Sequence, residues 1–238
     1  MRAVRWLSLL IVVLLSVVIA TLPLRLLLPT EALPVTILEV QGSIWDGMLR
    51  DVRWGALAVG DVGVRLQPWP LIRGERWLRL TSAGGGAELV QGRRSGLAQA
   101  SGRWLLQQPQ GLTMLDLAVD LRALRALFEA DRCAQVGGEV VLQVLPTAAG
   151  EAAGLLPLQL RGHPRCVDDA VLLRLAPDSE LPAGVRVDAE LRLWRDGRWQ
   201  WRTRIEPGSD TSLLLGLQLL GFVPTETRDW MRTDQGQL

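Results

Sequence analysis

The longest apolar segment of the chain lies near its start, from Trp6 to Leu24. No charged residue occurs between Arg5 and Arg25, and most residues of the segment are leucine, valine or isoleucine. A helix of this length spans about 28 Å at about 1.5 Å of rise per residue, and the hydrocarbon core of a bilayer is about 30 Å thick. Because a helix satisfies its own backbone polar groups in lipid, the pattern predicts a membrane-spanning helix over residues 6–24.

The charges before this segment predict its orientation. Arg2 and Arg5 precede it without an acidic residue, and positively charged flanks favour the cytoplasmic side of a membrane. Residues 1–5 are therefore expected to form a cytoplasmic tail, with the bulk of the chain on the far side. A cleaved signal peptide and a buried helix of a soluble protein are the alternatives. Val18-Ile19-Ala20 makes a poor cleavage site, which favours the uncleaved anchor.

After a short linker at residues 25–34, apolar and polar positions alternate in short runs that are typical of β-strands. Turn signals separate the runs at regular intervals, which is typical of an antiparallel meander. The sequence therefore predicts a mainly β protein, with an antiparallel sheet or sandwich-like domain and one or two short helices. Its first half covers residues 35–130 and its second half residues 131–238, packed together as one domain.

Glycines and prolines predict where the strands are interrupted. Residues 41–47 place an apolar pair between two glycines, which predicts a tight turn that returns the chain into a new strand. Gly60-Asp61 and Gly137-Gly138 predict two further turns. Pro68 and Pro70 remove two backbone donors, so the segment around them is expected to be an extended, unpaired break.

The clearest predicted hairpin covers residues 185–205. Apolar residues alternate with charged residues along both of its arms, which predicts one packed face and one wet face. Asp196-Gly197 between the arms is the residue pair of a two-residue type I′ turn. The tryptophans of this hairpin lie on its apolar side and are expected to pack in the core. Trp69, Trp77 and Trp104 are left as candidates for an interface or a lipid-accessible groove.

Two segments change to a helical period. Four apolar residues behind the N-cap Asp120 fall on one helical face and predict a helix over residues 121–129, namely Leu121, Leu124, Leu127 and Phe128. A second helix is predicted near the C-terminus, with Asp210 as its N-cap and Gly221 just beyond its end. The last dozen residues are expected to be frayed.

Composition narrows the possible chemistry. All 26 basic residues are arginines, they nearly balance the 25 acidic residues, and no basic patch points to a nucleic acid partner. The single histidine, His163, lies between two arginines in an expected exposed turn, without a metal-ligand spacing or a nucleophile motif around it. We therefore expect no catalytic residue, no metal, no cofactor and no small-molecule substrate.

The two cysteines, Cys133 and Cys166, are expected to form a disulfide if the domain faces an oxidising compartment. Closing a loop of about 34 residues stabilises a fold by roughly 3–4 kcal/mol in the chain-entropy model. Two buried thiols that never meet are the alternative interpretation.

Two short motifs carry a resemblance to a known family. Gly42-Ser43-Ile44-Trp45-Asp46-Gly47 is similar to the Gly-Thr-Leu-Trp-x-Gly motif of type II secretion system protein N, with Gly42, Trp45 and Gly47 at its fixed positions. The break at Pro68-Trp69-Pro70-Leu71 is similar to a segment that follows in that family, although Trp69 stands where a smaller or aliphatic residue is more typical. The likeness runs over nearly the whole chain.

The resemblance implies an accessory inner-membrane component of the type II secretion apparatus of a Gram-negative bacterium, which helps its assembly or stability. The β domain would lie in the periplasm, and no enzymatic activity is implied. Its partners would be inner-membrane platform subunits or the outer-membrane secretin. The alternative is an AsmA-like periplasmic protein, which also has long antiparallel sheets behind one anchor and handles lipid in an apolar groove.

Overall fold

The computed structural model shows a chain built around one long antiparallel sheet. It describes residues 6, 10–11, 13–14, 16–18, 20–26, 35–54, 57–106, 115–148, 157–181, 184–208, 214, 217–218, 221–227 and 229–237. A 3₁₀ turn covers Leu24–Leu26 and one short α-helix, α1, covers Pro68–Leu71. The strands are β1 Val35–Thr36, β2 Glu39–Gly42, β3 Gly47–Trp54, β4 Leu57–Gln67, β5 Arg76–Ser82, β6 Gly85–Gln91, β7 Arg94–Leu106, β8 Leu115–Glu129, β9 Arg132–Pro146, β10 Leu158–Gly162, β11 Pro164–Val167, β12 Ala170–Pro177, β13 Val185–Trp194, β14 Arg198–Pro207, β15 Val223–Pro224 and β16 Trp230–Gln237.

Most strands pair with the next strand along the chain. The 16-stranded sheet has the order β1-β3-β4-β5-β6-β7-β8-β9-β10-β12-β13-β14-β16-β15, while β2 also pairs with β3 and β11 with β12. This is the antiparallel meander that the turn spacing predicts, so the mainly β class is confirmed. The sheet continues without a break across the β8–β9 turn, where the two halves of the sequence meet.

The apolar face of the sheet carries the core. A first-half core consists of Leu24, Leu49, Val52, Val62 and Val64. A second-half core consists of Val140, Leu160, Leu173, Leu175 and Ala189. Alternation places the strand residues of these cores on one face because successive side chains of a strand point to opposite faces, and Leu24 joins them from the 3₁₀ turn.

The predicted hairpin is confirmed as β13 and β14. Leu191 faces Trp201 and Leu193 faces Trp199, whereas the neighbouring positions pair Glu190 with Arg202 on the polar face. The turn differs from the predicted type I′ form. It is a three-residue loop in which Gly197 alone has a positive φ, of 82°, and donates to Trp194 O at 3.1 Å. A type I turn followed by a left-handed glycine gives this geometry.

The predicted helix over residues 121–129 is wrong, because this segment is the second half of β8. A bulge explains the misleading period: Ala123 has a φ of 48°, and the register shifts between Arg122 and Arg125. Residues three apart in a regular strand lie on opposite faces, but one bulged residue returns them to the same face. Leu121 and Leu124 accordingly both pack against the second-half core.

Two predicted turns are also wrong. Gly60-Asp61 lies inside β4 and Gly137-Gly138 lies inside β9. Gly60 and Gly138 have φ values of 79° and 89°, and the pairing register shifts beside each of them. Glycine in a strand is typical of a bulge as well as of a turn. The turn between β8 and β9 instead uses Ala130-Asp131, both with positive φ.

The C-terminal segment is more ordered than expected. Residues 227–238 were predicted to fray, but β16 pairs with β14 from Trp230 to Gln237. The described residues 214, 217 and 218 are helical, whereas Asp210 lies outside the described residues. Gly221 ends the helix as predicted, with a φ of 79°, its N–H on Gln218 O at 3.1 Å and the N–H of Phe222 on Leu217 O at 3.0 Å.

The N-terminal apolar segment is helical at every described residue from Trp6 to Ala20. Within the described part of the chain, no helix combines the length and hydropathy that a membrane span needs. The described helix ends at Ala20, Pro23 pairs with Ser43 and Leu24 begins the 3₁₀ turn, so the predicted helix end at residue 24 is wrong. That this helix spans a membrane stays a prediction. Arg2, Arg5 and residues 27–34 of the expected linker lie outside the described residues.

The disulfide between Cys133 and Cys166 joins β9 to β11, two neighbouring strands that are not paired by a backbone ladder. β10 pairs with β9 as far as Gly162, and β11 then continues along β12. The bridge connects β9 to β11 beyond that point, with 5.5 Å between the two Cα atoms. It therefore holds the strands together where the backbone ladder has ended.

We predict that removing this bridge destabilises the fold without changing its topology. The Cys133→Ser/Cys166→Ser variant should lose about 3 kcal/mol of unfolding free energy, because the unfolded chain regains the freedom of the closed loop. Denaturant unfolding of the purified full chain measures this. The wild type should fall to the variant's midpoint under a reducing agent, and the variant should not respond to it. A wild-type midpoint that is insensitive to reduction contradicts the prediction.

Candidate functional site

The G-x-x-W-x-G motif forms the turn between β2 and β3. Gly42 pairs with Gly47, and the backbones of Ser43 and Asp46 exchange two hydrogen bonds of 3.2 Å. Ser43 Oγ also accepts the N–H groups of Trp45 and Asp46, each at 3.3 Å. A serine at this position stabilises the turn with its side chain, which agrees with the turn predicted from the sequence.

Close contacts explain both glycines of the motif. Gly42 has a φ of 80°, and a Cβ there would lie 2.5 Å from Asp46 O. A Cβ on Gly47 would lie 2.5 Å from Leu24 Cδ2 and 2.8 Å from Ser43 O. The second glycine is therefore required by the residue that ends the apolar segment, and not by the turn alone.

The motif turn binds the end of the apolar segment to the sheet. Ile44 donates its N–H to Leu22 O at 3.0 Å and accepts the N–H of Leu66 at 2.9 Å, while Pro23 bridges to Ser43. Leu24 follows at once and is 1% exposed within the first-half core. Leu24 thus packs inside the domain, although hydropathy assigned it to the end of the apolar helix.

The proline break lies beside this junction and is a capped turn rather than an extended path. Pro68 occupies the first turn of α1, where a missing N–H is tolerated. Gly74, with a φ of 74°, donates to Leu71 O at 3.0 Å, and Glu75 donates to Pro70 O at 3.1 Å. These two bonds close the turn in the manner of a Schellman motif. The break is confirmed, and its predicted extended form is wrong.

Glu75 fastens the far side of this turn to the sheet. Its carboxylate accepts Arg94 Nε at 3.1 Å and Arg94 Nη2 at 3.0 Å, together with Trp77 Nε1 at 3.1 Å. The Arg94 hydrogen bonds, followed by that of Trp77, hold the pKa of Glu75 below its ordinary value. A bidentate arginine–carboxylate pair of this kind fixes the relative orientation of the two side chains as well as the distance between them.

A model of the family described as type II secretion system (T2SS), protein N, matches residues 34–228. The chain belongs to this family. Among curated proteins and among solved structures, no match was found. The matched residues include the motif turn and α1, whereas the apolar helix precedes them and β16 follows them. Membership connects the chain to type II protein secretion and confirms the resemblance that the two short motifs carry.

The polar face of the second half forms an open cleft of about 350 Å³ lined largely by charged side chains of β12, β13 and β14. Glu190 accepts Arg192 Nε at 2.9 Å and Arg174 Nε at 3.1 Å. Burial raises the pKa of Glu190, but these hydrogen bonds outweigh it and leave the pKa lowered. Arginine–glutamate pairs of this kind are typical of a solvated protein surface.

The single histidine lies at the surface, as the sequence predicts. His163 is exposed, and its Nδ1 lies 2.9 Å from Gly138 O.

The three tryptophans proposed for an interface differ in exposure. Trp77 packs against the cluster of Val90, Ala98 and Leu127, and Trp104 lies over Gly84. Trp69 on α1 is 79% exposed. Of the three tryptophans proposed for an interface, Trp69 is the one that the fold leaves uncovered.

The sheet also ends in an open edge. β16 pairs with β14 along its length, but β15 covers it at only two positions, opposite Met231 and Trp230. Within the described residues, the stretch from Thr233 to Gln237 has β14 on one side and no described strand on the other. An edge of this kind can accept a strand from another protein.

We predict that Gly47→Ala destabilises the sheet because the new methyl group must displace Leu24 or the turn. Overpacking of this kind costs about 1–3 kcal/mol of unfolding free energy. Denaturant midpoints of the full chain measure the effect. Gly137→Ala is the matched control, since a Cβ there meets nothing within 4 Å. Equal midpoints for the two variants would show that the Leu24 contact does not constrain Gly47.

We predict that Glu75→Gln lowers the melting temperature in a pH-dependent way. Because folding lowers the pKa of Glu75, the ionised carboxylate stabilises the fold above its unfolded pKa of about 4.3, and this contribution is lost as the pH falls through the folded pKa. The difference from wild type should be full at pH 7 and shrink below about pH 4. Glu180→Gln, at an exposed loop position, is the control. A pH-independent difference would contradict the assignment.

Proposed function

We propose that this protein is an accessory inner-membrane component of the type II secretion system. Its apolar helix anchors it, with the N-terminus in the cytoplasm and the sheet in the periplasm, and its domain helps to assemble or stabilise the apparatus. Family membership supports the role in secretion. The anchor, the topology and the partners are the further steps of the proposal.

The surface of the apolar helix supports the anchor. Its described large side chains are 52–74% exposed, namely Trp6, Leu10, Ile11, Val13, Leu14, Val17 and Val18. A helix that is apolar all round belongs in a protein core or in a membrane. Each such side chain gains roughly 1.5–3 kcal/mol when it is fully removed from water, so lipid is the environment that this helix favours. The disulfide supports an oxidising compartment for the sheet.

The junction at the motif turn is the observation that carries the proposed role. Leu24 packs in the core, and Ile44 bonds to Leu22 on one side and Leu66 on the other. Because the helix is joined to the sheet through the core and not through a flexible linker, the strands at the other end of the sheet, such as β16, would be held at a fixed position relative to the membrane. This suits a scaffold that presents a binding edge, and it requires no catalytic group.

The open edge of β16 is the surface that we assign to partners. Platform subunits in the inner membrane, or the periplasmic part of the secretin, could add a strand there by backbone pairing. The charged face beside it would then set specificity, because complementary charges suppress wrong partners.

We predict that a photo-crosslinker at Gln235 on β16 recovers secretion components in living cells. Gln99 is the matched control, because it is an exposed glutamine in the central strand β7. Mass spectrometry should identify platform subunits or secretin from Gln235 and much less from Gln99. A probe at Arg198 tests the charged face in the same way. Equal yields from Gln235 and Gln99 would remove the edge from the proposal, and recovery of lipid alone would favour the AsmA-like function.

A further inference from the structure

The turn around α1 exposes three apolar side chains together. Trp69 is 79% exposed, Ile72 is 78% exposed and Leu71 is 37% exposed. We call these three residues the α1 patch. Isolated apolar residues on a surface are ordinary, but a cluster led by tryptophan is typical of an interaction site.

The backbone of the α1 patch is held in place by hydrogen bonds and by proline. Pro68 starts the helical turn, Gly74 closes it, and Glu75 ties it to Arg94. Proline has a fixed φ and the hydrogen bonds hold the rest of the turn, so the folded turn loses little conformational freedom on binding. The fold thus specifies the position of these side chains without burying them.

The α1 patch lies beside the end of the apolar helix. Leu22 O accepts the N–H of Ile44, and Ile44 O accepts the N–H of Leu66. Trp69 follows Leu66 by three residues, which is at most about 11 Å of chain at about 3.8 Å per residue. The patch and the helix therefore emerge from the same end of the first-half sheet.

The composition around the patch matches a membrane interface. Tryptophan is enriched at the level of the lipid headgroups, where its ring is apolar and its N–H stays wet. Arg25 follows the apolar helix and is exposed, and Arg73 follows Ile72 and is exposed. Their charges complement lipid phosphates at the depth where the apolar side chains would end.

We propose that the α1 patch inserts into the headgroup region of the leaflet from which the apolar helix emerges. The membrane then holds the domain at two points, the helix and the patch, and this sets the tilt of the sheet as well as its height. This inference rests on the proposed membrane anchor. The location of the α1 patch favours lipid as its binding partner, because a membrane-spanning helix would leave the bilayer at the level of the patch.

The experiment measures the depth of single labels on the full chain in lipid nanodiscs. Cys133 and Cys166 are paired, so a new cysteine takes a nitrobenzoxadiazole label selectively. Ile72→Cys probes the patch. Leu38→Cys is the matched control, since Leu38 is also 78% exposed but lies in the bend between β1 and β2. Val13→Cys probes the apolar helix. The nanodiscs contain phosphatidylethanolamine and phosphatidylglycerol, with doxyl groups placed either near the headgroup or deep in the acyl chain.

We expect shallow doxyl groups to reduce the fluorescence of the label at residue 72 by about twofold, since interfacial elements insert only about 5–10 Å. The label at residue 38 should be unaffected, and the label at residue 13 should respond more to deep doxyl groups. Adding Trp69→Asp should relieve the quenching at residue 72 and leave the melting temperature unchanged, because Trp69 is exposed in the fold.

The other possible results reject either the insertion of the α1 patch or the membrane anchor itself. Quenching at residue 13 without quenching at residue 72 rejects the patch and leaves the anchor intact. No quenching at residue 13 rejects the anchor, and the patch inference falls with it. A label at residue 72 that is shielded from both doxyl lipid and aqueous iodide identifies a protein contact, which also rejects lipid as the occupant.

Discussion

The burial of Leu24 constrains the rest of the structure. It ends the apolar segment, packs in the first-half core and, together with Ser43 O, crowds the position that a Cβ on Gly47 would occupy. Ile44 adds two backbone bonds that tie Leu22 on one side and Leu66 on the other. A tethered domain can turn about a loose linker, but a domain whose tether passes through its own core cannot do so without breaking that core.

The long meander transmits this constraint across the molecule. From β3 to β10 the strands pair in the order in which they follow along the chain, and the ladder continues through β12, β13 and β14 to β16. The disulfide links β9 to β11 beyond the end of the β9–β10 ladder. An edge strand far from the motif turn is therefore positioned by a continuous backbone network.

Strand alternation predicted the fold wherever the strands are regular. Residues 185–205 kept their period on both arms, so the paired faces of β13 and β14 were correct. Three of the errors fall at bulges. Ala123 shifts the parity of β8 and imitates a helical period, and Gly60 and Gly138 imitate turns while sitting inside strands. A sequence pattern records which face a residue needs, but a bulge is decided by the partner strand, which the local sequence does not specify.

The junction could be predicted only in part, for a related reason. The two glycines of the motif indicated a turn, yet hydropathy could not distinguish a leucine that packs in a core from one that faces lipid, so Leu24 was assigned to the helix. Hydropathy is equally ambiguous for Trp69, because it does not distinguish a core tryptophan from one that faces lipid. Its neighbours Pro68 and Gly74 determine the backbone, and the fold still leaves the ring uncovered. An apolar side chain held rigidly outward favours whatever apolar phase lies nearest. Leu66, three residues before Trp69, is bonded to the turn that holds the end of the apolar helix, so the phase that we propose for this helix is also the nearest one to Trp69.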